Sequence, residues 1–285
     1  VLSSGWAGSQ LLNSDDYRAY VGGTTGLIYG FVNDGFYTVD DFKPFDSKSR
    51  TWTLKDGVVN SSPLSGDPRP GNAKFKKLTP VDENSANPYT LTDDDRTVIG
   101  NTTPKFSGGF GLNATFKGFD VSAFFNFMYD FDVFNANKVM MTTWASNNYN
   151  NFSMDISAAK RWGNFDDMGN EIRYSPEILA EFNKNATMWN PTSIGRPIAM
   201  SYAVEDGSFL RLNTATIGYT LPRAWTNKVG LSRVRFYVSG NNLFTLTGYS
   251  GYDPEVDIAT GLTPNIDNNR YPRSRTYTFG VQLTF

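Results

Sequence analysis

The run KFSGGFGLNATFKGFDVSAFFNFM, Lys105–Met128, decides how the rest of the chain is read. Phe106, Phe110, Leu112, Ala114 and Phe116 fall on alternate positions, with Ser107, Gly109, Gly111, Asn113 and Thr115 between them. After Lys117–Gly118 the alternation resumes, with Phe119, Val121, Ala123, Phe125, Phe127 and Tyr129 opposite Asp120, Ser122 and Asn126. Side chains alternate across a strand, so a period of two predicts a strand. Two such runs joined by two residues predict a β-hairpin.

The same plan recurs towards the end of the chain. Ala215, Ile217, Tyr219 and Leu221 alternate with Thr214, Thr216, Gly218 and Thr220, and Val234, Phe236 and Val238 alternate with Arg233, Arg235, Tyr237 and Ser239. The connection between them, Pro222–Ser232, has room for one turn of helix. The final run, RTYTFGVQLTF, puts Tyr277, Phe279, Val281, Leu283 and Phe285 on one face and Thr276, Thr278, Gly280, Gln282 and Thr284 on the other. A weaker strand is predicted around Leu27–Phe36.

Composition narrows the chemistry. Aromatic residues make up 15% of the 285 residues, charged residues 19%, and the formal net charge is −2. Aromatic enrichment favours strands. Without a basic run there is no electrostatic footprint for nucleic acid. The chain has no Cys and no His, which removes disulfides, thiolate and imidazole metal sites and any serine–histidine triad. No apolar run is long enough for a transmembrane helix, a test that leaves transmembrane strands open. The opening VLSSGWAG lacks an initiator Met and a leader, and reads as a mature or internal start.

Long connections, about 36–102, 130–207 and 245–274, alternate with tight turns. Successive antiparallel strands reverse direction, so the long connections are expected at one end of the sheet. Short turns at one end, long loops at the other and one continuous apolar face describe an outer-membrane barrel. A strand of about 11 residues, at about 3.3 Å each and tilted near 45°, rises roughly 25 Å, the height of such a barrel's apolar band. The expected fold is therefore all-β: strands of a transmembrane antiparallel β-barrel with long extracellular loops. A soluble β-sandwich that binds carbohydrate through aromatic loops also alternates and is the competing expectation. A membrane barrel needs at least about eight strands, more than are countable here. Either several copies pool their strands, or the chain is the C-terminal part of a larger barrel.

The segment Val204–Asp257, VEDGSFLRLNTATIGYTLPRAWTNKVGLSRVRFYVSGNNLFTLTGYSGYDPEVD, resembles the C-terminal signature of the SusC/RagA family of TonB-linked outer-membrane transporters. The residues that carry it include Gly207, Ser208, Phe209, Arg211 and Leu212, then Gly218–Pro222, then Asn242–Phe244, then Asp253, Pro254 and Glu255 in GYDPE. Earlier segments follow in family order: IYGFVNDGFY (Ile28–Tyr37), TPKFSGGFGLNATFKGFDVS (Thr103–Ser122) and MWNPTS (Met188–Ser193). The resemblance implies that residues 1–285 are the C-terminal part of a single barrel domain of about 22 strands, with the plug and TonB box outside this sequence. It also implies an importer of oligosaccharides or peptides in the outer membrane of a Gram-negative, Bacteroidetes-like cell. Its implied partners are TonB, lipid, the remainder of its own barrel and a SusD-like surface lipoprotein, with pairing of such complexes into dimers. Tyr277, Val281, Leu283 and Phe285 look like the C-terminal signal read by barrel-assembly machinery.

No catalytic residues, cofactor or metal site are expected. Asp93, Asp94, Asp95, Asp166 and Asp167 read as solvated loop acids, and Asp166–Glu171 (DDMGNE) misses the spacing of a calcium loop. Trp144, Tyr149, Trp162, Tyr174 and Trp189 are candidate contacts for substrate or partner, or else anchors for their own loops. Arg211 is expected to form a structural ion pair or to face the lumen.

Overall fold

The computed structural model describes residues 2–4, 16–143, 152–195, 197–256, 261, 263–268 and 270–285. Among these, no helix is long and apolar enough to cross a membrane. The chain divides into two compact units. One comprises Val1–Asn101, Phe134–Val204 and Ala259–Asn268, and the other Thr102–Val133, Glu205–Ile258 and Asn269–Phe285.

The second unit is built on five long strands: β1 (Phe106–Phe116), β2 (Phe119–Tyr129), β3 (Phe209–Thr220), β4 (Arg233–Thr247) and β5 (Thr276–Thr284). They form one antiparallel sheet in chain order, a plain meander. The hairpin expected at Lys117–Gly118 is present, and both residues have positive φ, 47° and 91°. That is the backbone of a type I′ turn, whose twist matches the strands it joins. The β3–β4 connection holds a single helical turn, Arg223–Thr226, followed by a 3-10 turn at Asn227–Val229.

Register keeps the faces separate. Phe110 is opposite Phe125, Val121 opposite Ile217, Ile217 opposite Val238, and Val238 opposite Phe279. Directly opposed residues share a face, so this apolar row crosses the sheet. It stays exposed: Ile217 is 57% accessible and Phe279 77%. One irregularity preserves the row. Between Leu212 and Thr214 the register shifts, leaving Asn213 unopposed in β3. This bulge returns Leu210 and Leu212 to the face of Ala215 and Ile217, although their positions differ by an odd number.

The opposite face is polar and cross-linked. The Thr214 hydroxyl donates to Asn241 Oδ1 at 3.0 Å, and the hydroxyls of Thr216 and Ser239 are 2.7 Å apart. Arg235 on β4 reaches diagonally over β3 to the carboxylate of Asp120 on β2, with Nε donating to Oδ1 at 2.9 Å. Gly218 lies beneath that ion pair, and a Cβ there would come within 2.4 Å of Arg235 and 2.6 Å of Asp120. Glycine at this strand position leaves the space in which the pair forms.

The first unit takes most of the predicted long connections 36–102 and 130–207, while the connection 245–274 is divided between the two units. The expected strand at Leu27–Phe36 is instead two short strands, Leu27–Gly30 and Asn33–Phe36, in separate sheets. Its alternation breaks at Phe31, which bridges to Met200 and turns the chain out of the first sheet. Tyr17, Ile28, Phe75, Phe134, Trp189, Ile194 and Met200 are buried together in the core of this unit. Two short helices, Ala136–Thr142 and Pro176–Phe182, begin at Asn135 and Ser175. The Asn135 side chain accepts from the Lys138 amide, the usual remedy for an unsatisfied first-turn donor.

Asp95 corrects the reading of the loop acids, because its side chain is fully buried. It closes a capping box with Thr92. It also accepts from the Thr79 hydroxyl at 2.7 Å and from the amides of Thr79 and Leu78 at 2.8 and 2.9 Å. Lys77 Nζ adds an ion pair at 3.3 Å. Burial pushes the carboxyl pKa up, but the hydrogen bonds from Thr79, Thr92 and Leu78 outweigh it and hold the value at about 2. With the folded value below the unfolded one, the stabilisation is present above about pH 4 and is lost as pH falls towards 2. Asp95→Ala therefore removes on the order of 2 kcal/mol at neutral pH. The expected result is faster proteolytic cleavage of the segment 77–96 at pH 7, with the difference from wild type shrinking as the pH is lowered below 4.

Candidate functional site

The polar signature residues gather at one end of β3, with Phe209 and Leu212 serving apolar surroundings beside them. Asp206 Oδ1 accepts from the Ser208 amide at 2.8 Å, a tight turn that starts the strand. Ser208 then accepts from the Asp130 amide at 2.9 Å, and Gly207 donates its N–H to the Phe131 carbonyl. Phe209 packs in a small core with Phe131, Val133, Tyr249 and Val256. Leu212, paired with Phe125 and Phe244, belongs to the apolar face.

Arg211 faces the other way and is 1% exposed. Its Nη2 lies 2.5 Å from Asp253 Oδ1 and 3.6 Å from Glu255 Oε2. The GYDPE stretch delivers both carboxylates: Asp253 Oδ1 also accepts the Glu255 amide at 2.9 Å, across buried Pro254. Arg273 completes the cluster, 2.9 Å from Glu255 and 3.9 Å from Asp253. Two guanidiniums and two carboxylates balance, so the cluster is a charge-neutral clamp holding the 249–256 loop to β3 and to the chain before β5. Asn242, at φ 52°, lies where the β3–β4 register shifts, and its amide donates to the Ser274 carbonyl at 3.1 Å. Arg211 thus has the ion pairing expected of it. Arg273 escaped the sequence reading because it belongs to no motif.

The loop aromatics divide. Trp162 is 3% exposed and packs edge-on against Phe36 at 5.6 Å. Trp189 is 2% exposed, donates its indole N–H to the Thr142 carbonyl at 3.2 Å and meets Tyr202 edge-on. Both anchor their loops and present no face to a ligand. Trp144 and Tyr149 lie outside the described residues. Tyr174 is half-buried and lines a cavity of about 550 Å³ in the first unit, together with Arg50, Arg69, Arg173, Asn72 and Asn164. The Asp166 carboxylate, at the start of DDMGNE, is occupied by its own turn, accepting from the amides of Met168 and Asn170 and from the Asn170 side chain. Those bonds, led by the Asn170 side chain, hold its pKa below the usual carboxylate range. Among the described residues no group of acidic side chains is arranged to hold a metal ion.

At the end of the chain, Tyr277, Val281, Leu283 and Phe285 stand on the exposed apolar side, and Phe285 is 90% accessible. The Ser232 hydroxyl donates to the Phe285 and Thr284 carbonyls, fastening this end to the start of β4.

No family model matches the chain. TonB-dependent receptor P3 of Formosa agariphila is 30% identical over 270 residues, 93% of this chain and 22% of the relative. TonB-dependent receptor SusC of Bacteroides thetaiotaomicron is 30% identical over 164 residues, 53% of this chain and 15% of the relative. A solved structure of the RagAB peptide importer in the open-open state superposes with a TM-score of 0.58 at 21% identity, over 99% of this chain and 25% of that one. The chain spans about a quarter or less of the length of these proteins. The resemblance to SusC/RagA receptors is borne out, and so is the expectation of a mainly β-strand fold, whose structural neighbours are TonB-dependent transporter barrels. The relatives are receptors and transporters, not enzymes.

Removing Arg211, the buried member of the clamp, leaves Asp253 and Glu255 to share the half-exposed Arg273, and the upper bound on the cost is the roughly 3–5 kcal/mol of a broken buried pair. Arg211→Ala is expected to lower the thermal unfolding midpoint of the full-length protein in detergent. Arg273→Ala, whose side chain is 45% exposed, should lower it far less. Equal effects of the two would show that Arg211 is not the centre of the clamp.

Proposed function

We propose that this chain is part of the barrel of a TonB-dependent outer-membrane importer of nutrients, either oligosaccharides or peptides. The observation that carries the reading is the uncovered apolar face running across all five strands, backed by a polar, hydrogen-bonded face. Lipid is the natural partner of the first face and a wet interior that of the second. A soluble sandwich would instead bury its apolar face under another sheet, and here Phe116, Phe119, Ile217 and Phe279 remain exposed.

In this reading residues 1–285 belong to a single barrel domain, the plug and the TonB contact lie elsewhere in the full-length protein, and a SusD-like lipoprotein acts as the lid. Energy from TonB opens the path through the plug. Closure of the lid on bound nutrient is a hinge motion of a familiar kind. Complexes of this type are proposed to pair as dimers. The receptor names of the relatives support transport, SusC supports the lipoprotein pairing, and RagAB supports peptide as one cargo class.

The test is depth-dependent. Ile217→Arg places a charge on the proposed lipid face and is expected to destabilise the protein in bilayers by roughly 2–4 kcal/mol, whereas Thr278→Arg on the polar face should cost much less. A wild-type protein that is folded and monodisperse in water without detergent would overturn the assignment. Deleting Phe285 is expected to lower the amount assembled in the outer membrane while leaving the nutrient affinity of the assembled protein unchanged, read by surface labelling and by binding.

A further inference from the structure

We infer that the cavity of the first unit is a binding site for an acidic sugar residue, a uronate or a sulfated sugar, of an imported oligosaccharide. The inference rests on the importer reading for the arrival of such a ligand, and on the chemistry of the cavity for its identity. At about 550 Å³ the cavity is within the usual range for small-ligand sites.

Its charge is uneven. Three arginines, Arg50, Arg69 and Arg173, line it with one acidic residue, Asp67. Arg173 is paired with Glu171, while Arg50 and Arg69 have no acidic partner within ion-pair distance among the described residues. Unpaired guanidiniums around one cavity match an oxyanion, whose two oxygens they can take as parallel hydrogen bonds.

The three arginines are also held in place. Arg50 has φ 54° and follows a turn fixed by Asp46, which accepts from the Lys48 amide and the Ser49 hydroxyl. Its guanidinium lies over the Tyr174 ring, 5.2 Å from the centroid. Arg69 stands between Pro68 and Pro70, where both neighbours restrict the backbone, and its carbonyl accepts the Asn72 amide. Arg173 is fixed by the Trp52 indole, which donates to its carbonyl at 3.3 Å. Its guanidinium lies 5.5 Å from the same Tyr174 ring. An anion therefore meets donors whose backbones are already ordered, which lowers the cost of binding.

The remaining lining selects the carrier of the charge. Asn72, Asn164, Thr192 and Ser193 offer both donors and acceptors, and Trp52 and Tyr174 offer ring edges and faces. A polyhydroxylated ring uses both kinds of group. An acidic peptide would bring aliphatic side chains for which Leu179 is the one aliphatic residue of the lining apart from the prolines.

The experiment is equilibrium binding to the full-length protein in detergent, with trigalacturonate, a sulfated disaccharide, neutral maltotriose and tetra-aspartate as probes. Trigalacturonate or the sulfated sugar is expected to bind at least about tenfold more tightly than maltotriose, the size of one charge-assisted contact. The winner of those two arms identifies the oxyanion. Arg50→Ala combined with Arg69→Ala is expected to abolish that preference without changing the unfolding midpoint, since both side chains are exposed. Should the double variant keep the preference, or should wild type bind the acidic and neutral sugars alike, the site is overturned. Tetra-aspartate binding as tightly as the acidic sugars would overturn the sugar assignment. Uptake by cells reads the importer proposal separately. Uptake without acid-selective binding removes the cavity assignment alone, and acid-selective binding without uptake removes the importer alone.

Discussion

In an antiparallel sheet, side chains directly opposite one another must share a face, so a slip of one residue on any strand carries every side chain of that strand to the other side. Here the two faces differ in character, with Phe124 the large apolar residue on the polar side of β2 beside Thr214. Phe110, Phe125, Ile217, Val238 and Phe279 form one side, and Asp120, Thr216, Ser239 and Arg235 belong to the other. A slip would put phenylalanines among hydroxyls and leave the Asp120–Arg235 pair separated on an apolar surface. The penalty for the wrong register is spread along whole strands, and it is what allows the meander to be specified without a buried core between layers.

The bulge at Asn213 follows from that constraint. Phe209 and Arg211 are needed inside, one in a small apolar core and the other between Asp253 and Glu255. Thr214, Thr216 and Gly218 are needed on the same inner face further along. Odd and even positions can serve one face of a single strand only if a residue is skipped between them. The bulge therefore joins two requirements, the loop clamp at one end of β3 and the polar ladder along its length.

Much of the five-stranded sheet was legible because its signal is local. Alternation, the Lys117–Gly118 turn and the short Pro222–Ser232 connection each lie within a few residues. The bulge at Asn213 was not legible, since a change of parity between Leu212 and Ala215 looks the same as the end of a strand. Asp95 had a readable signal, Thr92 three positions earlier, but its burial depends on Leu78 and Thr79, which only the folded chain brings near. The same distance in sequence hid the cavity: Arg50, Arg69 and Arg173 carry no shared motif. Trp162 and Trp189 were visible as aromatics, and only packing decides that they are anchors.

The residues between β2 and β3, 130–208, separate two strands that pair along their full lengths. Closing a flexible loop costs entropy that grows only logarithmically with length, about 0.6 kcal/mol for each doubling. Such an insertion is therefore tolerated at equilibrium, but it raises contact order, which governs the rate at which strands find each other. The β1–β2 and β3–β4 hairpins have short connections and can zip independently. The β2–β3 seam cannot form until the intervening chain has contracted. Buried anchors such as Trp162 and Trp189 shorten that tether, so the order in which the sheet assembles is set partly by residues outside its strands.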